Sequence, residues 1–305
     1  MKSTADVTAY LSAQRATIER ALASVLPRPP ANPPVLAEAM RYSLTAGGKR
    51  VRPALCLAGA EAVGAASATA LTTACALELI HTYSLIHDDL PSMDNDSLRR
   101  GQPTLHVVAG EGMAILAGDG LLTEAFRLLL SQPSTDPVRT LRAAALIAEA
   151  AGAEGMVGGQ AIDLATVTPA PNGRLAPALD AAGVARMHAM KTGALIRASA
   201  VAGAIVGGGS DAQVEAISRA ATEFGLAFQI VDDILDVEGQ AASLGKTPGK
   251  DAAAGKPTYP ALYGLAESRR LAADCLTRAG HALDGAGLGD SWLLGIGRWI
   301  VDRSS

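Results

Sequence analysis

The sequence predicts an all-α protein, a single-domain bundle of long helices, on three observations. Hydrophobic residues make up 49% of the 305 residues but aromatics only 3%. The apolar content is therefore largely Ala, Leu, Ile and Val, and Ala and Leu lose little rotamer freedom in a helix. Apolar residues recur at three- and four-residue steps over long stretches, whereas the period-two alternation of a half-buried strand is almost absent. Proline and glycine cluster at Pro27–Pro34, Ser131–Pro137, Thr168–Pro177, Gly207–Gly209 and Gly239–Pro260, with no long polar linker between the clusters. Such punctuation suits one domain over residues 1–305 better than two.

In chain order, Gly47-Gly48 reads as the end of a preceding helix, the commonest use of glycine at such a place. Leu71–His87 is a helix by the spacing of Leu77, Ile80, Ser84 and His87. Glu111–Leu130, Leu141–Leu164, Leu179–Val206 and Asp211–Val237 follow with the same periodicity. The 26 Lys and Arg against 30 Asp and Glu leave a formal charge of −4, which gives no sign of a nucleic-acid binder. Cys56, Cys75 and Cys275 lack any CxxC spacing, as expected of free thiols in a reducing compartment, and offer no zinc site. Asp6, Arg15, Glu19 and Arg20 interrupt any secretory signal near the start. The uncharged stretch Ala62–Leu77 is diluted by Ser and Thr and falls short of the ~20 residues of a membrane span. The expectation is a cytoplasmic protein without membrane insertion.

Two acidic clusters carry the chemistry. Asp88, Asp89 and Asp94 in HDDLPSMDND end one very apolar run, and Asp232, Asp233 and Asp236 in QIVDDILDVEG end another. Carboxylates at the end of an apolar helix cost desolvation unless a cation or donors meet them. Asp232 and Asp236 stand at i and i+4, one turn apart on one face, where like charges repel. A divalent cation removes that repulsion, and Mg²⁺ prefers carboxylate and water oxygens while leaving positions for substrate phosphates. Asp88 and Asp94 are separated by about 240° on an ideal helix. Pro91 lies between them, cannot continue the helical hydrogen bonding, and should re-aim Asp94 toward Asp88. Either cluster alone reads equally well as a solvated acidic helix end. Basic residues supply the complement: Lys49, Arg50 and Arg52 after Gly47-Gly48, then Arg99-Arg100, Lys191, Lys246 and Lys250. In an acidic chain such local basic sites suggest an anionic substrate, with Arg offering a planar fork and Lys a point charge. The combination describes a diphosphate held through Mg²⁺, with a second anion nearby.

These segments together resemble the short-chain trans-prenyl diphosphate (polyprenyl) synthases, most closely bacterial farnesyl diphosphate synthases. The resemblance rests on GGKRVRP at Gly47, LIHTYSLIHDDLPSMDNDSLRRGQPT from Leu79, AILAGDGLL from Ala114 and GMVGGQAIDL from Gly155. HAMKTGALI from His188, FGLAFQIVDDILD from Phe224 and LGKTPGKDAAAGKPTYP from Leu244 extend it over nearly the whole chain. Ser97 departs from the pattern, where relatives usually carry another acidic residue. The resemblance implies the isoprenoid synthase fold, a helical bundle around a deep central cavity, homodimeric, with both aspartate motifs at its mouth. It implies Mg²⁺, with Mn²⁺ as a substitute, held by Asp88, Asp94 and Asp232 with Asp89, Asp233 and Asp236 supporting or ligating. It gives Arg99, Lys191 and Lys246 to an allylic diphosphate, and Lys49, Arg52, His81 and Arg100 to isopentenyl diphosphate. Thr192 and Gln229 would face the developing allylic cation.

A lone helix histidine such as His81 is otherwise more often structural, and Gln160 and Asp163 stay outside the assignment. Tyr83 and Ser84, five and four residues before Asp88, would set the cavity floor. The bulk of Tyr83 favours a C15 product, farnesyl diphosphate, with a C20 product, geranylgeranyl diphosphate, as the alternative. A His-Asp phosphohydrolase would need further histidines at matching spacing. A terpene cyclase would not need the Lys49/Arg52 site. A non-catalytic partner subunit would be expected to have lost a motif that this chain keeps.

Overall fold

A computed structural model describes residues 2–26, 33–131, 136–167, 179–238 and 258–303. The N-terminal helix α1 (Thr4–Val25) starts at Ser3, whose hydroxyl accepts from the Asp6 N–H while the Asp6 carboxylate accepts from the Ser3 N–H. That reciprocal pairing satisfies donors that have no partner within the helix. α2 (Pro34–Leu44) opens on a proline, whose missing N–H is not needed in the first turn. α3 (Val51–Ala62) and a 3₁₀ turn at Ser67–Ala70 lead into α4 (Leu71–Asp88). A small antiparallel hairpin, β1 (Leu98–Arg99) and β2 (Gln102–Pro103), pairs Leu98 with Pro103. α5 (Leu105–Ala109), α6 (Glu111–Ser131), α7 (Pro137–Ala151) and α8 (Met156–Val167) follow. α9 (Ala181–His188) runs through a π turn at Ala189–Gly193 into α10 (Ala194–Gly207). α11 (Asp211–Val237), α12 (Tyr259–Tyr263), α13 (Leu265–Asp284) and α14 (Trp292–Asp302) complete the described chain.

The fold is all-helical, as the composition predicts, apart from that hairpin among the described residues. α10 forms the centre, buried along nearly its whole length and packed against α3, α7 and α11, while α4 lies between α3 and α6. Small residues make this possible. A Cβ on Gly203 would stand 1.9 Å from the Cys56 carbonyl oxygen, and one on Gly59 would stand 2.2 Å from that of Ala200. Two helices approach here backbone to backbone, which a methyl group on either side prevents.

The structure departs from the periodicity most where Leu141–Leu164 is divided between α7 and α8. The chain turns at Gly152, and the Gly155 N–H bonds back to the Gly152 carbonyl at 3.1 Å. Gly152 turns extended, and a Cβ on Gly155 would stand 2.1 Å from the Ala150 carbonyl oxygen, so the helix ends there although the apolar spacing continues. The three cysteines are buried and free. The span Ala181–Val206 is long and apolar enough to cross a membrane by length and composition, but 56% of its apolar 18-residue window is buried inside the bundle.

Candidate functional site

α4 ends at Asp88, with Asp89 as its C-terminal cap. Beyond Pro91 the chain doubles back, so that the Asp94 N–H donates to the Asp88 carbonyl at 2.9 Å and the Asp96 N–H to that of Asp89 at 3.2 Å. The re-aiming expected of Pro91 is present. Burial pushes the Asp88 carboxyl up to about 6, with the Asp94 and Asp89 charges adding to the rise against Lys191 and Arg99. Asp89 is buried and takes Arg99 in a fork, Nε at 2.9 and 2.8 Å from its two oxygens and Nη2 at 2.6 Å from Oδ1. These two residues, expected to act separately, pair with each other.

The hairpin aims the next arginine. Arg100 and Gly101 form its two-residue turn with φ of +53° and +77°, the left-handed pair that matches strand twist. The Arg100 guanidinium donates to the Gly47 carbonyl and lies on Gly48, where a Cβ would come within 2.6 Å of its central carbon. Gly48, at φ +128°, therefore makes room for Arg100 besides following a helix end. Lys49 is exposed, with its ammonium 5.9 Å from the Trp299 ring centroid. Arg52 Nη1 lies 3.3 Å from His81 Nε2. Burial first, then Arg52, Arg100, Arg99 and Arg50, hold the His81 imidazole well below its usual range, so the neutral ring accepts from Arg52. The structure thus brings Arg52, His81 and Arg100 to one face of the site. Lys49 joins them within the field of Asp232.

At the second cluster, Asp232 Oδ1 accepts from Arg303 Nη2 at 2.5 Å. Arg303 also donates to the Phe228 carbonyl at 2.8 Å and stacks 3.8 Å from the Phe228 ring centroid. Asp233 is buried and fully engaged, accepting from Gln229 Nε2 at 2.8 Å and from the Tyr259 N–H at 2.9 Å. Gln229 Oε1 in turn accepts from the Thr192 hydroxyl at 3.1 Å. Asp236, one turn beyond Asp232, is partly buried. The π turn sets Lys191 with Nζ 2.6 Å from Asp163 Oδ2. Lys246 and Lys250 lie outside the described residues. Below the first cluster, Tyr83 is buried and meets the His87 ring edge-on at 5.8 Å, while the Ser84 hydroxyl donates to the His81 carbonyl. A small, partly open hollow, lined among others by Tyr42, Thr82, Leu85, Asp89, Arg99 and Arg100, lies beside this face.

Among the described residues no three His, Cys, Asp or Glu side chains are gathered closely enough to hold a metal ion by themselves. The donors nevertheless suit a hard divalent cation. Asp88 carries a carboxylate whose charge burial disfavours, and Asp232 already accepts a cation in the form of Arg303. A diphosphate and water would complete the oxygen shell around such an ion.

Sequence reasoning missed three contributors. Asp163, outside the sequence assignment, holds Lys191. Glu78 carried a signal, a lone carboxylate in an otherwise apolar stretch, which requires a buried partner; that partner is Arg50 at 2.5 Å. Arg303 carried none, because nothing local links it to a residue 71 positions away.

The chain matches the model of the polyprenyl synthetase family over residues 33–282. It is 50% identical to the heterodimeric geranylgeranyl pyrophosphate synthase large subunit 1 of Arabidopsis thaliana, over 88% of this chain and 72% of that one. It is 49% identical to a chloroplastic geranylgeranyl pyrophosphate synthase of Capsicum annuum, over 83% and 67% of the two chains. The fold superposes on an FPP/GFPP synthase from Zymomonas mobilis with a TM-score of 0.85 and 36% identity, over 98% of this chain and all of that one. Family match, relatives and fold agree, and the chain belongs to the polyprenyl synthetase family of prenyltransferases.

Proposed function

We propose that this prenyltransferase condenses allylic diphosphates head-to-tail with isopentenyl diphosphate and stops at the C20 product, geranylgeranyl diphosphate. The relatives named as geranylgeranyl pyrophosphate synthases favour this length over the C15 expected from Tyr83. The observation that carries it is the division of faces on α4. Tyr83 shares a face with His87, against whose ring it packs edge-on, and His87 Nε2 lies 3.1 Å from the Ile115 carbonyl on α6. Ser84 stands one turn beneath Asp88 on the face a growing chain would follow. A small residue there leaves room where Tyr83 would not. The C15 reading keeps two arguments, the bulk of Tyr83 five residues before Asp88 and the fold's likeness to an FPP/GFPP synthase.

In this reading Lys49, Arg52, neutral His81 and Arg100 hold isopentenyl diphosphate, and Arg99, Lys191 and Lys246 hold the allylic diphosphate. Asp88, Asp94 and Asp232, with Asp89 and Asp236, hold Mg²⁺ or Mn²⁺. When bound, the ion neutralises the charge that develops on the departing diphosphate. The Thr192 and Gln229 oxygens turn their dipoles toward the allylic carbon as positive charge grows there. Asp163 keeps Lys191 extended toward the diphosphate, and Asp233 fixes the Gln229 amide so that its oxygen, not its nitrogen, faces Thr192. The isopentenyl double bond attacks the allylic carbon, the carbon–oxygen bond breaks, and the released diphosphate accepts the proton lost from the adduct. No separate side-chain base is then required. The exposed Val107, Val108, Ile115 and Leu116 on α5 and α6 suit burial against a second copy of the chain.

The test is incubation of the purified protein with Mg²⁺, dimethylallyl diphosphate and isopentenyl diphosphate, followed by mass spectrometry. A metal-dependent C20 product is expected. A dominant C15 product would keep the reaction and reject the length, and no condensation would reject the reaction.

A further inference from the structure

Glu78 stands in the middle of α4 among Ala74, Ala76, Leu77, Leu79 and Ile80, all buried, and is itself 2% exposed. A carboxylate in such a place is tolerated only with a charged, hydrogen-bonded partner. Its partner is Arg50, whose side chain is also 2% exposed and whose Nη1 lies 2.5 Å from Glu78 Oε1. Arg50 Nη2 donates to the Leu44 carbonyl at 2.9 Å, and its Nε lies 4.0 Å from the half-exposed Glu19. Arg50 takes φ +52° at the N-terminal cap of α3, a left-handed conformation uncommon for a long side chain. The pair therefore fixes the backbone between Lys49 and Arg52, the two residues that flank it.

Glu78 is also tied to the cations around it. It lies one turn before His81, which meets Arg52, and its charge supports the charged forms of Arg52 and Arg100 against burial. Arg100 bonds in turn to the Gly47 carbonyl. One buried anion thus lies beneath a group of cations that would otherwise repel one another, and it pins the Gly47–Arg50 segment to α4. Preorganisation of this kind removes an ordering cost from ligand binding.

We infer that Glu78, acting through Arg50, is a positioning residue that presets Lys49, Arg52 and Arg100 for the diphosphate of the non-allylic substrate. This rests on the assignment of that site to isopentenyl diphosphate. The experiment is steady-state kinetics of Glu78→Gln, Glu78→Asp, Arg50→Lys and Lys49→Ala, each first checked for folding by circular dichroism. Losing a charge-assisted bond is expected to raise the KM for isopentenyl diphosphate about tenfold in Glu78→Gln, with kcat and the allylic KM within about twofold. Glu78→Asp, which keeps the charge, should recover most of that loss. Should Glu78→Gln fail to fold, Arg50→Lys reads the same split, because it keeps the cation but loses the fork. An unchanged isopentenyl KM in the folded variants, or an equal rise in both KM values, would overturn the inference. Lys49→Ala separates the positioning role from the site assignment. A raised isopentenyl KM there with none in Glu78→Gln rejects the positioning role alone, whereas no rise in Lys49→Ala rejects the site assignment and the inference with it.

Discussion

The Asp88 carboxyl shows what a single residue contributes and what it costs. Its ordinary value is near 3.8, and the fold raises it to about 6, chiefly by burial. Below the lower value the proton is bound in both folded and unfolded chains, so the fold bears no penalty. As pH rises through the upper value, the fold must release a proton from a site that holds it more tightly than the unfolded chain does, and stability falls. Asp88→Asn cannot ionise. In chelator it should stabilise the protein at pH 8 by about 1 kcal/mol, discounted for the partial exposure of the side chain, and by little at pH 4. Thermal melts at the two pH values check this, and a gain that does not depend on pH would contradict the burial argument. Product length is also a residue-scale property. Ser84→Phe should shorten the product to C15 and Tyr83→Ala should leave it at C20, both read by mass spectrometry. A longer product from Tyr83→Ala would restore Tyr83 as the floor. The sequence marks Asp88, Asp94 and Asp232 as candidates because paired carboxylates after apolar runs need an explanation. Arg303 on Asp232 and Asp163 on Lys191 were not legible, because each contact depends on how distant helices meet.

Individual helices were legible to the extent that their burial is periodic. Asp211–Val237 falls where the spacing places it, and α4 ends within one residue of expectation, because each has an apolar stripe bounded by a cap or a breaker. Leu141–Leu164 failed for a stated reason: the apolar rhythm continues across Gly152, but the backbone does not. The hairpin at Leu98–Pro103 left no alternating pattern, since its strands are two residues each and its signal is the turn at Arg100-Gly101. The α3–α10 contact is an element-scale feature carried by the absence of side chains. Gly203→Ala places a methyl carbon 1.9 Å from the Cys56 carbonyl oxygen, and the helices must separate. The expected destabilisation is about 2–3 kcal/mol, measured as a lower denaturant midpoint with an unchanged slope. A neutral substitution would mean that the helices can part freely.

At the scale of the whole molecule, the bundle sets two acidic helix ends and a group of arginines from different parts of the chain around one site. α4 delivers Asp88, α11 delivers Asp232, and the Gly47–Arg52 segment and the hairpin deliver the basic groups. The apolar face of α5 and α6 gives a further expectation at this scale. Light scattering should return twice the 30.9 kDa chain mass, and Val108→Asp with Leu116→Asp should halve it; a monomeric wild type would contradict the pairing. The central claim is that carboxylates from both helix ends act on one diphosphate. The most direct measurement is Mg²⁺-dependent turnover of Asp88→Ala and Asp232→Ala, each with helicity checked by circular dichroism, beside the wild type. Both variants should remain folded, and each should lose turnover by about a thousandfold or more, the scale of losing an electrostatic contact made in the transition state. Near-normal turnover in either variant would contradict that claim.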